Sequence, residues 1–470
     1  MLTFLLTPLY TGVLPAVEYG EISIIFACFA IFNVLLAYGM ETAFFRFYTS
    51  EQNKEKVTAT ALISLTTSSI GFLFIAFLFQ EKIAQFLSMP LKYVTYAIYI
   101  LTLDALVIIP FAWLRANGKP IKYTLVKMVN VAINIGLNLL FLLVLPKLIG
   151  TTSASVFGWM YILDFEISYI FIAMIAASAV TFLWMLPIYR NINHQFDLVI
   201  WKKMMRYAWP VLVAGIAYTI NEMGNRILLD KLLPEAIARV EVAKFSACIK
   251  LALFMTLFAT AFRLGIEPFF FSHSKTENPQ KAYAQITNYF IIFGSAILLT
   301  VVVFSDVLKV FIVQNKELWE AMTVVPILLL ASFCLGIYHS LSVWYKITDR
   351  TKYGAYISTI GAVLTLIINI ALIPIIGYMA SAWATLAAYG SMMVLSYYFG
   401  KKHYPIPYNM RKITFYGGIS IVFSILSFYV FNRNLIVGSL LLLVFLGLIY
   451  KLEGDKLKTI LIRGEHQDNQ

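Results

Sequence analysis

Apolar runs recur along the whole chain, separated by short polar stretches that carry most of the lysines and arginines. A helix rises about 1.5 Å per residue, so a run of roughly 17 to 25 apolar residues crosses a hydrocarbon core about 30 Å thick. The pattern predicts fourteen transmembrane helices, over residues 1–14, 22–40, 58–79, 93–114, 124–145, 167–189, 208–228, 243–262, 286–304, 321–345, 353–376, 378–399, 413–431 and 434–450. The expected fold class is an all-α polytopic membrane protein. The first run has only 14 residues ahead of Pro15, which predicts either a short re-entrant helix or one whose beginning is missing ahead of Met1. It has no basic n-region or small-residue cleavage site, so it does not read as a signal peptide.

The polar stretches set the orientation, because short cytoplasmic loops gather Lys and Arg. With the N-terminus inside, 25 of the 36 basic residues are counted with inside segments and ten with outside ones, while Lys250 alone is counted with the interior of a span rather than with a segment at its end. Both termini are expected on the cytoplasmic side. A weak repeat accompanies this alternation. GKPIKY (118–123), a helix with Asn134 and Asn138, and LPKLIG (145–150) return about 230 residues later as DRTKYG (349–354), a helix with Asn369, and IPIIG (373–377). The repeat predicts two six-helix halves related as parallel repeats, with the substrate site between them. The expected divisions are an N-terminal lobe at 1–206, a C-terminal lobe at 207–411, and helices 13 and 14 with a cytoplasmic tail at 412–470. Residues 190–210 mix Arg190, Lys202, Lys203 and Arg206 with Phe196, Leu198, Ile200 and Trp201, and read as an interfacial amphipathic linker.

Composition agrees with this picture. Hydrophobic residues make up 60% and charged residues 13%, against about 25% charged in an ordinary soluble domain. The net charge of +12 comes in small clusters between apolar runs, which marks topology rather than nucleic-acid binding. Cys28, Cys248 and Cys334 all lie in apolar runs without a CxxC pair or a neighbouring histidine, a poor pattern for disulfide or zinc. There is no Walker A sequence and no acidic pair in a long polar loop, so the expectation is a non-enzyme without cofactor or metal.

Charges inside a bilayer are costly and mark functional candidates. Asp104 is expected roughly 16 Å and Lys250 roughly 12 Å into their helices, both at hydrocarbon depth. Either each is a packed or snorkelling side chain, or both face a water-filled cavity, where Lys250 attracts an anionic group and Asp104 pairs with it or binds a coupling cation. Arg46, Arg226 and Arg263 fall at helix ends. Arg226 has Glu222 and Asp230, and Arg263 has Glu267, at ion-pairing spacing. Arg46 and Arg263 sit on the cytoplasmic side, where a guanidinium could grip phosphate oxygens bidentately. Aromatics, 16% of the chain, read mainly as interfacial belts and core.

Three stretches in order, LLTPLYTGVLPAVEYGEISIIFACFAIFNVLLAYGMETAFFRFY (5–48), AFRLGIEPFFF (261–271) and NIALIPIIGYMASAWATLAAYG (369–390), resemble the polysaccharide biosynthesis, or O-antigen flippase, family of the multidrug/oligosaccharidyl-lipid/polysaccharide exporter superfamily. The resemblance covers nearly the whole chain. It implies two six-helix lobes in a V around a central cavity, with two further helices. It also implies alternating access that flips an undecaprenyl-diphosphate-linked oligosaccharide across the bacterial cytoplasmic membrane, for lipopolysaccharide and other surface polysaccharides. Under it, Arg46, Lys250 and Arg263 are the substrate-binding candidates, and Asp104 and Glu267 the coupling or charge-tuning carboxylates. Two departures stand out. Family members carry additional residues ahead of the point matching Leu5, and many have an Asp-Arg pair where this chain has Asn225-Arg226, which makes Asp230 the expected partner of Arg226.

The expected partners are the lipid-linked substrate, the bilayer, and a proton or sodium gradient, with the chain acting as a monomer and without nucleic acid. One alternative is a cation-coupled multidrug exporter of the same superfamily. Another, of a different class, is a membrane-embedded polysaccharide polymerase or ligase, which should place a large polar loop outside.

Overall fold

The computed structural model describes residues 2–149, 162, 164–192, 195–273, 278–348 and 350–467, with 2–3, 149, 191, 267–273 and 455–467 described by backbone alone. Every regular element among the described residues is helical. Eleven helical segments among them are long and apolar enough to cross a membrane. Two more long helices, Leu198–Leu232 and Tyr378–His403, cover the expected spans 208–228 and 378–399. The first carries Asn221, Glu222, Asn225, Arg226 and Asp230 along its second half. The second is built on Ala, Ser, Thr, Gly and Tyr, and buries Ala380, Ser381, Ala384, Thr385 and Ala388. Small residues let helix backbones approach closely in lipid, so this helix packs along both Val325–Leu341 and Lys352–Ile376. At the start of the chain, Leu2–Leu5 and Thr7–Val13 are helices of 4 and 7 residues, too short to span.

The chain forms two compact units, Met1–Ala243 and Lys244–Gln470, and the division falls inside the 39-residue helix Glu235–His273. In the second unit, Pro279–Val303, Met410–Ile425 and the last helix pack around Ile292, Leu299, Val303, Tyr416, Leu442 and Phe445. In the first unit, Ile108–Ala116, Pro120–Leu139 and Glu166–Asn191 pack around Phe111, Leu114, Val126, Met185 and Ile188.

The asparagines of the repeat do the same work in each unit. Asn138 Nδ2 donates to the Asn134 carbonyl (2.7 Å), while its Oδ1 accepts from the Tyr10 hydroxyl at 3.1 Å. Asn369 Nδ2 donates to the Thr365 carbonyl (2.7 Å), and its Oδ1 accepts from Ser381 Oγ at 2.7 Å. Each asparagine therefore ties its helix to another across the apolar interior, where polar groups serve as interhelical fasteners.

Lipid offers no hydrogen bonds, so any interruption of a spanning helix must be repaired locally. Ala16–Ala37 ends at Tyr38 (φ 31) and Gly39 (φ 73), and the chain restarts as Met40–Ser50. Gly39 is required twice over, because its φ is left-handed and because a Cβ there would meet the Ala208 carbonyl oxygen at 2.5 Å. Between Leu91–Leu106 and Ile108–Ala116 the break is at Val107. Pro110 has no N–H to give the Leu106 carbonyl four residues back, and the Tyr189 hydroxyl supplies the missing donor at 2.6 Å.

Gly39→Ala should destabilise the first unit by at least about 1–2 kcal/mol from the left-handed backbone alone, visible as a lower melting temperature of the detergent-purified chain; an unchanged Tm would contradict the close approach. Tyr189→Phe should cost roughly 0.6–1.7 kcal/mol in the native background. It should cost less once Pro110→Ala restores the helical donor, so a double-mutant cycle with no coupling would refute the repair.

Candidate functional site

The second unit contains a cleft into which basic side chains converge. One wall is the helix Glu235–His273, contributing Ala259, Phe262, Arg263 and Ile266. The other is Val325–Leu341 with the short helix Val343–Ile347, contributing Gly336, His339, Val343 and Lys346. Positions 259, 262, 263 and 266 fall at i, i+3, i+4 and i+7, and 336, 339, 343 and 346 at i, i+3, i+7 and i+10, so each set forms one helix face.

Local structure explains how the faces are held. The helix ending at Leu341 gives way at Ser342 to Val343–Ile347. Ser342 Oγ donates to the His339 carbonyl at 2.6 Å, and the Tyr338 and Tyr345 hydroxyls meet at 3.1 Å across the junction. Behind the cleft lies an aromatic stack, with Phe290 at 5.3 Å from Phe258, 4.8 Å from Phe262 and 6.2 Å from Phe333. Gly336 makes room for it, since a Cβ there would lie 2.4 Å from the Phe290 ring.

Chemically the cleft is a set of donors. Among the described residues, Arg263, His339 and Lys346 face a lining without a carboxylate, and Arg263 Nε is buried without a hydrogen-bond partner. A buried donor left unpaired is costly, and an anion is its natural complement. The enclosed space is about 20 Å³, room for about one water.

The residues expected from sequence are distributed as follows. Arg263 lines this cleft. Lys250 is half-buried on the same helix, but thirteen residues back, about 20 Å along the axis and about 140° around it, so the two do not share a face. Glu267 lies outside the residues whose side chains are described. In the first unit, Arg46 is exposed on Met40–Ser50, with its guanidinium 4.4 Å from the Tyr207 ring centre. Asp104 accepts a 2.7 Å hydrogen bond from Ser178 Oγ, with Lys127 the cation in electrostatic range. Asp230 pairs with Arg239 (3.2 Å) and Lys231 (3.3 Å), while buried Arg226 donates to the Glu222 carbonyl and the Met223 sulfur.

Sequence reasoning missed His339, Lys346 and Lys127. The i, i+7 spacing of His339 and Lys346 was the available signal, hidden because Lys346 counts as a loop cation in the topology. Lys127 was hidden the same way: it fell at the edge of the expected span 124–145 and was counted with the loop cations, whereas its helix starts at Pro120 and sets it seven residues in.

The first 253 residues match the family described as polysaccharide biosynthesis protein, and residues 228–371 match the MatE family. Among curated proteins none matches. Of solved structures, a lipid II flippase MurJ in an inward closed conformation aligns over 96% of both chains, with TM-score 0.74 and 14% identity. An inward-facing multidrug resistance MATE family transporter of the MOP superfamily aligns over 89% of this chain and 96% of its own, with TM-score 0.67 and 11% identity. An outward-facing transporter of that family aligns over 88% and 92%, with TM-score 0.58 and 12% identity. The chain belongs to the polysaccharide biosynthesis protein family, and it shares the helical fold of the MurJ flippase and of the MATE transporters of the MOP superfamily.

Proposed function

We propose that this chain flips an undecaprenyl-diphosphate-linked oligosaccharide from the inner to the outer leaflet of the bacterial cytoplasmic membrane by alternating access, for assembly of a surface polysaccharide such as O-antigen. The observation that carries the reading is the cleft of Arg263, His339 and Lys346, in which the described residues supply no carboxylate and leave Arg263 Nε without a hydrogen-bond partner. A diphosphate presents the oxygens that such donors complement. The second unit also has apolar space for a long hydrocarbon. Two hollows of about 390 and 420 Å³ share Leu330 and Ile421, and follow the helix Met410–Ile425 and its continuation Leu426–Val430 from Met410 to Tyr429, a rise of roughly 28 Å. Arg46 in the first unit and Lys250 on Glu235–His273 are further candidate contacts for the anionic substrate, each outside the cleft of Arg263, and Asp104 is the carboxylate through which a proton or sodium gradient would act.

The match of residues 228–371 to MatE favours a second reading, a cation-coupled multidrug exporter. Amphipathic cationic drugs call for an acidic cleft, and the lining described above is basic.

Arg263→Gln combined with Lys346→Gln should weaken binding of inorganic pyrophosphate to the purified chain by about ten-fold or more, since hydrogen bonds to charged groups contribute about 1.5–3 kcal/mol. Unaltered affinity would remove the cleft from substrate binding. Expression in a strain lacking its own oligosaccharide flippase should restore surface polysaccharide. Failure to do so, together with gained resistance to cationic drugs, would favour the exporter.

A further inference from the structure

The first unit holds a second group of cations that the cleft does not use. Arg115, in the last turn of Ile108–Ala116, has its guanidinium 4.9 Å from the Phe45 ring centre and 5.2 Å from that of Tyr123. It pairs with Glu41, which stands just beyond the Gly39 break. Both side chains remain accessible, at 38% and 42% exposure, so the pair is open to exchange with solutes.

Lys127 lies seven residues into Pro120–Leu139, about 10 Å along the helix. It is exposed, with Nζ 4.2 Å from the Phe111 ring centre, and among the described residues no carboxylate comes within ion-pairing distance of it. Arg115, Glu41 and Asp104 are in electrostatic range, but Asp104 is already engaged by Ser178. A cation at such depth is costly unless it faces water or an anion. Arg115 and Lys127 lie against two rings that touch each other, Tyr123 and Phe111, with centroids 5.4 Å apart; two cations so placed, one unpaired and one held by an exchangeable carboxylate, are the makings of an anion site. A carboxylate on a guanidinium is also the internal mimic of a phosphate.

We infer that Arg115 and Lys127 form a phosphate-binding site in the first unit, and that Glu41 is the resident counter-ion which an incoming diphosphate displaces from Arg115. The inference rests on the diphosphate reading of the substrate. In the resting chain Glu41 neutralises Arg115 and keeps adventitious anions out. A diphosphate has enough charge to take both cations at once, and releases Glu41 as it binds.

The test is calorimetric titration of inorganic pyrophosphate into the full chain in nanodiscs, with Arg263→Gln and Lys346→Gln present to silence the second-unit cleft. Glu41→Gln should tighten binding on the order of ten-fold by removing the competitor, because one charged hydrogen bond is worth about that factor. Adding Arg115→Gln and Lys127→Gln should erase the gain, and Arg115→Lys should keep only part of it, since an ammonium lacks the bidentate fork. Glu41→Gln that leaves affinity unchanged or weaker, in a chain with native-like melting, would make the pair purely structural and overturn the inference. Absence of pyrophosphate binding even with the second-unit cleft intact would instead sink the diphosphate reading and this site with it.

Discussion

Backbone groups buried in lipid must find partners within the protein, and several of the polar side chains that line the candidate sites stand beside the places where that constraint is hardest to meet. Three spanning segments are interrupted: at Tyr38-Gly39, at Val107 and at Ser342. Each break is repaired by a named contact. Gly39 supplies the left-handed turn and the close approach to Ala208, Tyr189 donates to the Leu106 carbonyl, and Ser342 donates to the His339 carbonyl. Glu41 and Arg46 follow the first break, Asp104 and Arg115 flank the second, and His339 and Lys346 flank the third. A break redirects a helix and loosens its ladder, so polar side chains beside it can reach accessible space that an unbroken apolar helix would not offer. Discontinuous helices serve this purpose in transporters generally.

The fold was largely legible in the sequence because the solvent imposes it. Hydrocarbon thickness sets run length, and that one rule located the helices. The spans at 208–228 and 378–399 are instructive. Helix Tyr378–His403 is weakly apolar because its Ala, Ser and Thr face other helices rather than lipid, so packing and not partition sets its composition. The repeat was legible at the asparagines for a physical reason too, since Asn138 and Asn369 each satisfy a carbonyl in their own helix and a hydroxyl from another.

The candidate site was legible only in part. Arg263 could be picked from its motif, but its neighbours His339 and Lys346 come from a stretch some 80 residues later, and no local pattern announces that pairing. Lys127 stood at the edge of the expected span 124–145 and was counted as a loop cation, whereas the helix start at Pro120 sets it seven residues into the helix. Lys250 shows the converse error. Depth along a helix is readable from sequence, whereas azimuth relative to Arg263 follows only once the helix is known to be continuous from Glu235 to His273. Glu41 and Arg115 are more than seventy residues apart and could be joined only by coordinates.

Transport needs more than a complementary site. A ligand bound equally well in two conformations shifts neither, so the site has to differ between them. The cleft of the second unit encloses space for about one water, too little for a diphosphate, and occupancy therefore requires it to widen. Widening would separate Arg263 from Lys346, cations whose mutual repulsion opposes the closed arrangement while the aromatic stack around Phe290 favours it. Under the proposed function, a diphosphate arriving between them would remove the repulsion, and the free energy so gained would belong to the occupied state alone. That difference, rather than the tightness of the grip, is what lets a basic cleft convert binding into movement.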